Sequence, residues 1–220
     1  LPSPTLFRSN YGAFPFDPKK ISFVLLTHAH IDHSGLIPKL VKQGFTGQIF
    51  ATRGTVDLLT YMLPDSGGIQ EMEVERLNRR NARRGRPAVT PIYGKEDAQT
   101  ALGSFSSVEY EAWREVGDGV RARYWNAGHI LGSASIEVEV SYGDRDARPS
   151  RVLVSRDLGP DHTPVHPDPG GPGDAGCGGG GAARVGLREA CVVGVLRTVA
   201  VVLAGIAGLW RTPSPLGLAL

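Results

Sequence analysis

Cysteine is almost absent from this chain. Only Cys177 and Cys191 occur, both near the C-terminus. No disulfide framework can staple the main body, which excludes the small secreted scaffolds and fits a reducing, cytoplasmic setting. Net charge is also nearly absent, at +2, so the chain as a whole has no electrostatic bias toward nucleic acid or acidic surfaces. The opening "LPSPTLFRSN" lacks the basic-then-apolar pattern of a secretory signal. It also lacks an initiating Met, from which we expect a piece of a longer chain. What remains is ordinary globular composition, 41% hydrophobic and 21% charged, and at 220 residues there is enough chain for one sizeable core.

Composition divides the chain into residues 1–169 and 170–220. The second part holds 13 of the 29 glycines and no Lys. "GGPGDAGCGGGGAARVG" is a low-complexity stretch. The run from Ala190 to Trp210 is apolar enough to suggest a membrane helix. Arg197 within it opposes that reading, since a mid-bilayer Arg costs roughly 2.5–3.5 kcal/mol on insertion scales. Gly, Ala, Val, Arg and Pro are what GC-rich codons yield in any reading frame. The expectation is therefore a non-native or misframed tail without function, and no membrane association unless that tail is genuine.

Residues 1–169 alternate apolar strands with helices. "ISFVLL", "GQIFAT", "GVRARYWNAG", "SASIEVEVSYG" and "SRVLVSRD" read as strands. "SGLIPKLVKQG", "GTVDLLTYML", Ile69 to Arg84 and "KEDAQTAL" read as helices, the first closed by Gly44. Strands feeding helices first and pairing with strands later imply a layered α/β domain.

The chemistry is concentrated in "LLTHAHIDHSG", where His28, His30, Asp32 and His33 fall within six residues at the end of an apolar strand. Imidazole and carboxylate suit Zn²⁺, and also Mn²⁺ or Fe. Four such groups in so short a loop exceed what one tetrahedral ion takes easily, which points to two adjacent metals. His129 in "NAGHILGSAS" and Asp157 in "VLVSRDLG" stand at other strand ends and complete the candidate set. Asp161, His162 and His166 lie in a proline-bounded loop and are weaker candidates. The run "RLNRRNARRGR" raises RNA contact by Arg79, Arg80, Arg83 and Arg84. Its bland alternative is a helix with acidic residues early and basic ones late, matched to its own dipole.

"THAHIDHSG" resembles the His-x-His-x-Asp-His signature of the metallo-β-lactamase superfamily. "PDSGGIQEMEVERLNRRNARRGRP", "AGHILGSAS" and "SRDLGPD" resemble its RNA-processing branch, the ribonuclease J and pre-mRNA 3′-end nuclease type. The resemblance implies a partial αββα sandwich over residues 1–169. It implies two Zn²⁺, the first on His28, His30 and His129, the second on Asp32 and His33, with Asp157 bridging. Asp32 and Asp157 would be the catalytic carboxylates. It implies RNA phosphodiester hydrolysis, because zinc lowers the pKa of bound water to about 7 and supplies hydroxide at neutral pH. The pattern fails in two respects: Arg156 stands where the family has Gly, and the family's cap domain and final zinc-binding His are missing. The expectation is an incomplete and inactive fragment. Another hydrolase on the same fold, acting on a thioester or lactone, and a non-catalytic partner of a nuclease are the alternatives.

Overall fold

The computed structural model describes residues 10–141, 149–155, 157–158 and 170–171, with the backbone of 183–184, 194–196 and 199–203. Arg156, Asp161, His162 and His166 lie outside the described residues, as do most of the residues on which the expectation of a non-native tail rests.

Among the described residues, two five-stranded sheets stack face to face, with helices on the outer face of the first. The first sheet has β1 (Phe23–Leu25), β2 (Gln48–Thr52), β3 (Phe105–Val108), β9 (Gly194–Leu196) and β10 (Val199–Leu203), in the order β3-β2-β1-β10-β9. All its pairings are parallel except β10 with β9. The second has β4 (Arg114–Gly117), β5 (Val120–Asn126), β6 (Ala134–Val140), β7 (Ser150–Val154) and β8 (Ala183–Arg184), in sequential order. It is antiparallel through β7. The helices are α1 (Ile31–Ser34), α2 (Ile37–Lys42), α3 (Arg53–Ala82) and α4 (Lys95–Leu102), preceded by a 3-10 turn at Pro18–Lys20.

The continuous apolar run around β1 follows from burial on both faces. Val24 and Leu26, with Ile49 and Ala51 of β2, face the helix layer and meet Leu59, Leu63, Ala98 and Ala101. Phe23, Leu25 and Phe50 point the other way and meet Val120, Ala122, Tyr124, Ile136 and Val138 of the second sheet. The strict alternation along β5 and β6 has the matching cause. Their inward residues are apolar, while Arg121, Arg123, Glu137 and Glu139 share the opposite face. This is the α/β layering expected from the sequence, with helix, sheet and sheet present among the described residues.

One local expectation is corrected, and two strands are added to those expected. "GTVDLLTYML" and Ile69 to Arg84 are not two helices but one, the 30-residue α3, continuous through Pro64. An interior proline costs about 3 kcal/mol. Leu59, Leu63, Pro64, Gly67 and Val74 are all buried on one face, and their packing holds the helix together. Gly67 lets the start of α4 come close, since a Cβ there would lie 2.7 Å from the carbonyl carbon of Gly94. β3 and β4 were not among the expected strands. They are short edge strands whose residues, "FSSV" and "REVG", carry little apolar signal of their own.

Candidate metal centre

The "HAHIDH" stretch leaves β1 at the edge where the two sheets meet. Leu26 N–H still pairs with the Phe50 carbonyl, at 2.9 Å, and Ala134 N–H bonds the Thr27 carbonyl, at 2.8 Å. Thus Leu26 is tied to the first sheet and Thr27 to the second before the chain turns. His28 follows, 1% exposed. His30 is the residue before α1, and one turn of helix brings in Asp32 and His33. Ser34 Oγ donates to the carbonyls of Ala29 (2.9 Å) and His30 (3.0 Å), so the turn is locked by a buried hydroxyl.

His129 arrives from the other sheet, on the loop between β5 and β6. Gly128 (φ +64°) and Gly132 (φ +79°) occupy the left-handed region that glycine tolerates. Ser133 Oγ accepts the N–H groups of His129 (3.0 Å) and Ile130 (3.1 Å), closing the loop on itself. Asp157 comes from just beyond β7.

Four elements therefore deliver six side chains to one spot. His28 Nε2 lies 3.1 Å from His30 Nδ1, and His129 Nε2 lies 3.2 Å from the same nitrogen. Asp157 Oδ2 is 3.5 Å from His28 Nε2 and 3.7 Å from His129 Nε2. One donor atom from each of His28, His30, His129 and Asp157 falls within 4.8 Å of the others. A second group adjoins the first, with His33 Nε2 3.4 Å from both Asp32 Oδ2 and Asp157 Oδ2. The same Asp157 oxygen thus belongs to both groups. Ligands about 2.0–2.2 Å from a tetrahedral ion stand roughly 3.3–3.6 Å apart, and the first group's spacings lie close to that range, so it could hold one metal ion.

Burial is graded across the site. The His28 and His33 side chains form a floor 1% and 4% exposed, whereas Asp157 and Asp32 are 47% and 62% exposed at the rim. His28 Nδ1 is 3.1 Å from Thr27 Oγ1. With Nδ1–H donating to that hydroxyl, Nε2 keeps its lone pair for the centre, which is how an outer hydrogen bond orients a ligating imidazole. The His28 pKa is pushed down to about 4. Burial is the largest cause, followed by the neighbouring His33 and His30, while Asp157 opposes the shift. The imidazole is neutral at pH 7, as a ligand must be.

The depressed pKa also makes a stability statement. The unfolded chain protonates this histidine near 6.5, and the fold does so only near 4. Protons therefore favour the unfolded state between those values, and stability is lost as pH falls from about 6.5 toward 4. Urea midpoints of the metal-free chain at pH 7.5 and 4.5 should differ by up to about 3 kcal/mol of stability, and His28→Gln should flatten the dependence. A stability that rises on acidification would contradict this.

Arg79, Arg80, Arg83 and Arg84 are exposed at the far end of α3 and its cap. Arg79 pairs with Glu75 at 2.6 Å, the i,i+4 contact expected of a solvated helix face. A 30-residue helix is about 45 Å long, so these groups stand far from the metal centre at its other end. Among the described residues, no helix is long and apolar enough to cross a membrane. The supports of the site (Thr27, Ser34 and Ser133) were not foreseen as such. Their only sequence signal is a small hydroxyl residue beside a ligand-type one.

Residues 4–180 match the family described as the Metallo-beta-lactamase superfamily. Ribonuclease TTHA0252 of Thermus thermophilus is 37% identical over 161 residues, covering 73% of this chain and 31% of the relative. An RNase J-like protein of Methanocaldococcus jannaschii is 32% identical over 157 residues, 68% of this chain and 31% of its own length. Transcription termination factor FttA of Thermococcus kodakarensis is 29% identical over 148 residues, 65% of this chain and 21% of the factor. The chain thus spans under a third of the length of each of these relatives.

Proposed function

Because this chain belongs to the metallo-beta-lactamase superfamily, we propose that it carries the metal-binding part of an RNA-cleaving phosphodiesterase. The observation that carries the reading is the pair of donor groups sharing Asp157 Oδ2. In this reading His28, His30 and His129 would hold one zinc and Asp32 and His33 a second, with Asp157 a ligand common to both. When bound, the two ions supply a water acidic enough to ionise near pH 7 and positive charge for the oxygens around phosphorus.

The chain's own side chains do the rest. His28 and His33 keep the floor dry, which strengthens every charge interaction above them. Asp32, the most exposed of the six, stands at the rim, where a carboxylate can accept a proton from an attacking water and orient it. Asp157 holds both groups in register through one oxygen. An RNA substrate fits the names of the relatives, and the exposed arginines at the end of α3 would take backbone phosphates away from the cut.

Residues 1–169 would form the hydrolytic portion of a longer enzyme, with 170–220 adding nothing to the site and this stretch alone cleaving RNA weakly or not at all. The same centre suits a thioester or lactone hydrolase, because fold alone does not choose the substrate. The intact "HAHIDH" stretch speaks against a merely non-catalytic partner. Assaying the chain, extended to the length of its relatives, on single-stranded RNA and on an acyl thioester decides between them. We expect RNA cleavage that a chelator abolishes and zinc restores. Thioester cleavage without RNA cleavage would replace this reading, and chelator-resistant RNA cleavage would refute it.

A further inference from the structure

The carbonyl of Gly132, three residues beyond His129, accepts two hydroxyl hydrogen bonds. Thr52 Oγ1 donates from 2.5 Å and Thr55 Oγ1 from 2.8 Å. Both threonines are buried, 2% and 0% exposed. Thr52 ends β2 and also caps α3 by accepting Thr55 N–H at 3.3 Å. The next carbonyl, that of Ser133, accepts the Tyr110 hydroxyl at 3.0 Å and Ala127 N–H at 3.1 Å. Ser133 Oγ closes the loop internally, but the bonds from Thr52, Thr55 and Tyr110 tie it to other elements. The approach leaves no room for a side chain at Gly132, where a Cβ would lie 2.2 Å from Thr55 N.

Resting on the metal-site reading above, we propose that Thr52 and Thr55 are positioning residues that hold His129 at the centre. A helix cap alone needs one hydroxyl, and Thr52 already provides it. The Thr55 hydroxyl is not needed for that cap, and its proton is aimed at the Gly132 carbonyl. Two donors on one carbonyl occupy both its lone pairs and fix its direction. That direction sets where the short loop places the His129 ring, whose Nε2 must reach within 3.2 Å of His30 Nδ1. Valine has the shape of threonine without the donor, so it removes the tie and keeps the packing, at the cost of an unsatisfied buried carbonyl.

The test uses the full 220-residue chain, zinc as the probe, and two readouts. The first is zinc affinity by competition with a chromophoric chelator. The second is the ring-to-ring nuclear Overhauser contact between His129 and His30 in the metal-free protein, whose ring centroids are 4.9 Å apart. Thr55→Val should lower zinc affinity ~10-fold and the double Thr52→Val/Thr55→Val ~100-fold, with Thr55→Ser close to wild type, the range typical of groups that orient ligands. The His129–His30 contact should vanish in the valine variants and persist in the serine one. Should the double variant fail to fold, the single Thr55→Val, which keeps the helix cap, carries the comparison. Valine variants that melt lower yet keep both zinc affinity and the ring contact would overturn the proposal and leave the threonines a structural role. A wild-type chain that keeps the ring contact but does not bind zinc would refute the metal reading instead, and the contact alone would then judge the clamp.

Discussion

Replacing His30 by alanine should lower zinc affinity by on the order of 10³-fold, more than the 10–100-fold typical of losing a group that only orients a ligand. His30 Nδ1 is the common neighbour of His28 Nε2 and His129 Nε2, so its removal takes the central donor out of the first group. The fold should survive the change. His30 precedes α1 with an extended backbone (φ −53°, ψ 143°) and makes no side-chain cap bond. Circular dichroism of the metal-free variant should therefore match that of the wild type. In the chain extended to the length of its relatives, the same substitution should abolish RNA cleavage. An alanine variant that binds zinc within a few-fold of the parent would place the metal elsewhere.

Glu137→Ala should destabilise the chain by about 3–5 kcal/mol, the usual cost of stranding one partner of a buried ion pair. Glu137 is 1% exposed, on the face of β6 turned away from the inter-sheet core. Its Oε2 accepts from Arg123 Nη2 (2.7 Å), Arg123 Nε (3.0 Å) and Trp125 Nε1 (3.1 Å). Arg123 is only 16% exposed, and its guanidinium also stacks on Trp113 and Trp125. Alanine leaves that cation and an indole N–H without their acceptor. Removing both charges as Arg123→Leu/Glu137→Leu should cost much less, because nothing charged is stranded. Urea unfolding reads both, and a loss below about 1 kcal/mol for Glu137→Ala would show that the pair is solvated in practice. Zinc affinity should be unaffected, since the network lies on the outer face of the second sheet.

Much of the site was legible in the sequence because ligand-type residues at that density have few other uses. His28, His30, Asp32 and His33 could be read from spacing alone, and His129 and Asp157 from their positions after apolar strands. The buried strands were legible for a related reason, since a sheet covered on both faces leaves an uninterrupted apolar run such as "FVLL". Features that depend on distant partners were not legible. α3 runs through Pro64 because its buried face outweighs a local helix breaker, and no local propensity reports that face. β3 exists because β2 offers it an edge, not because "FSSV" is a strong strand. Likewise Thr52 and Thr55 read as a helix cap and its first turn. Their second partner, Gly132, is about eighty residues away in sequence.

The most direct test is an anomalous diffraction map, recorded at the zinc absorption edge, from crystals of this chain grown with zinc. A peak should appear among His28 Nε2, His30 Nδ1 and His129 Nε2, at about 2.0–2.1 Å from each nitrogen. A second, weaker peak should lie between Asp32, His33 and Asp157. Zinc bound elsewhere, with those three nitrogens bare, would contradict it.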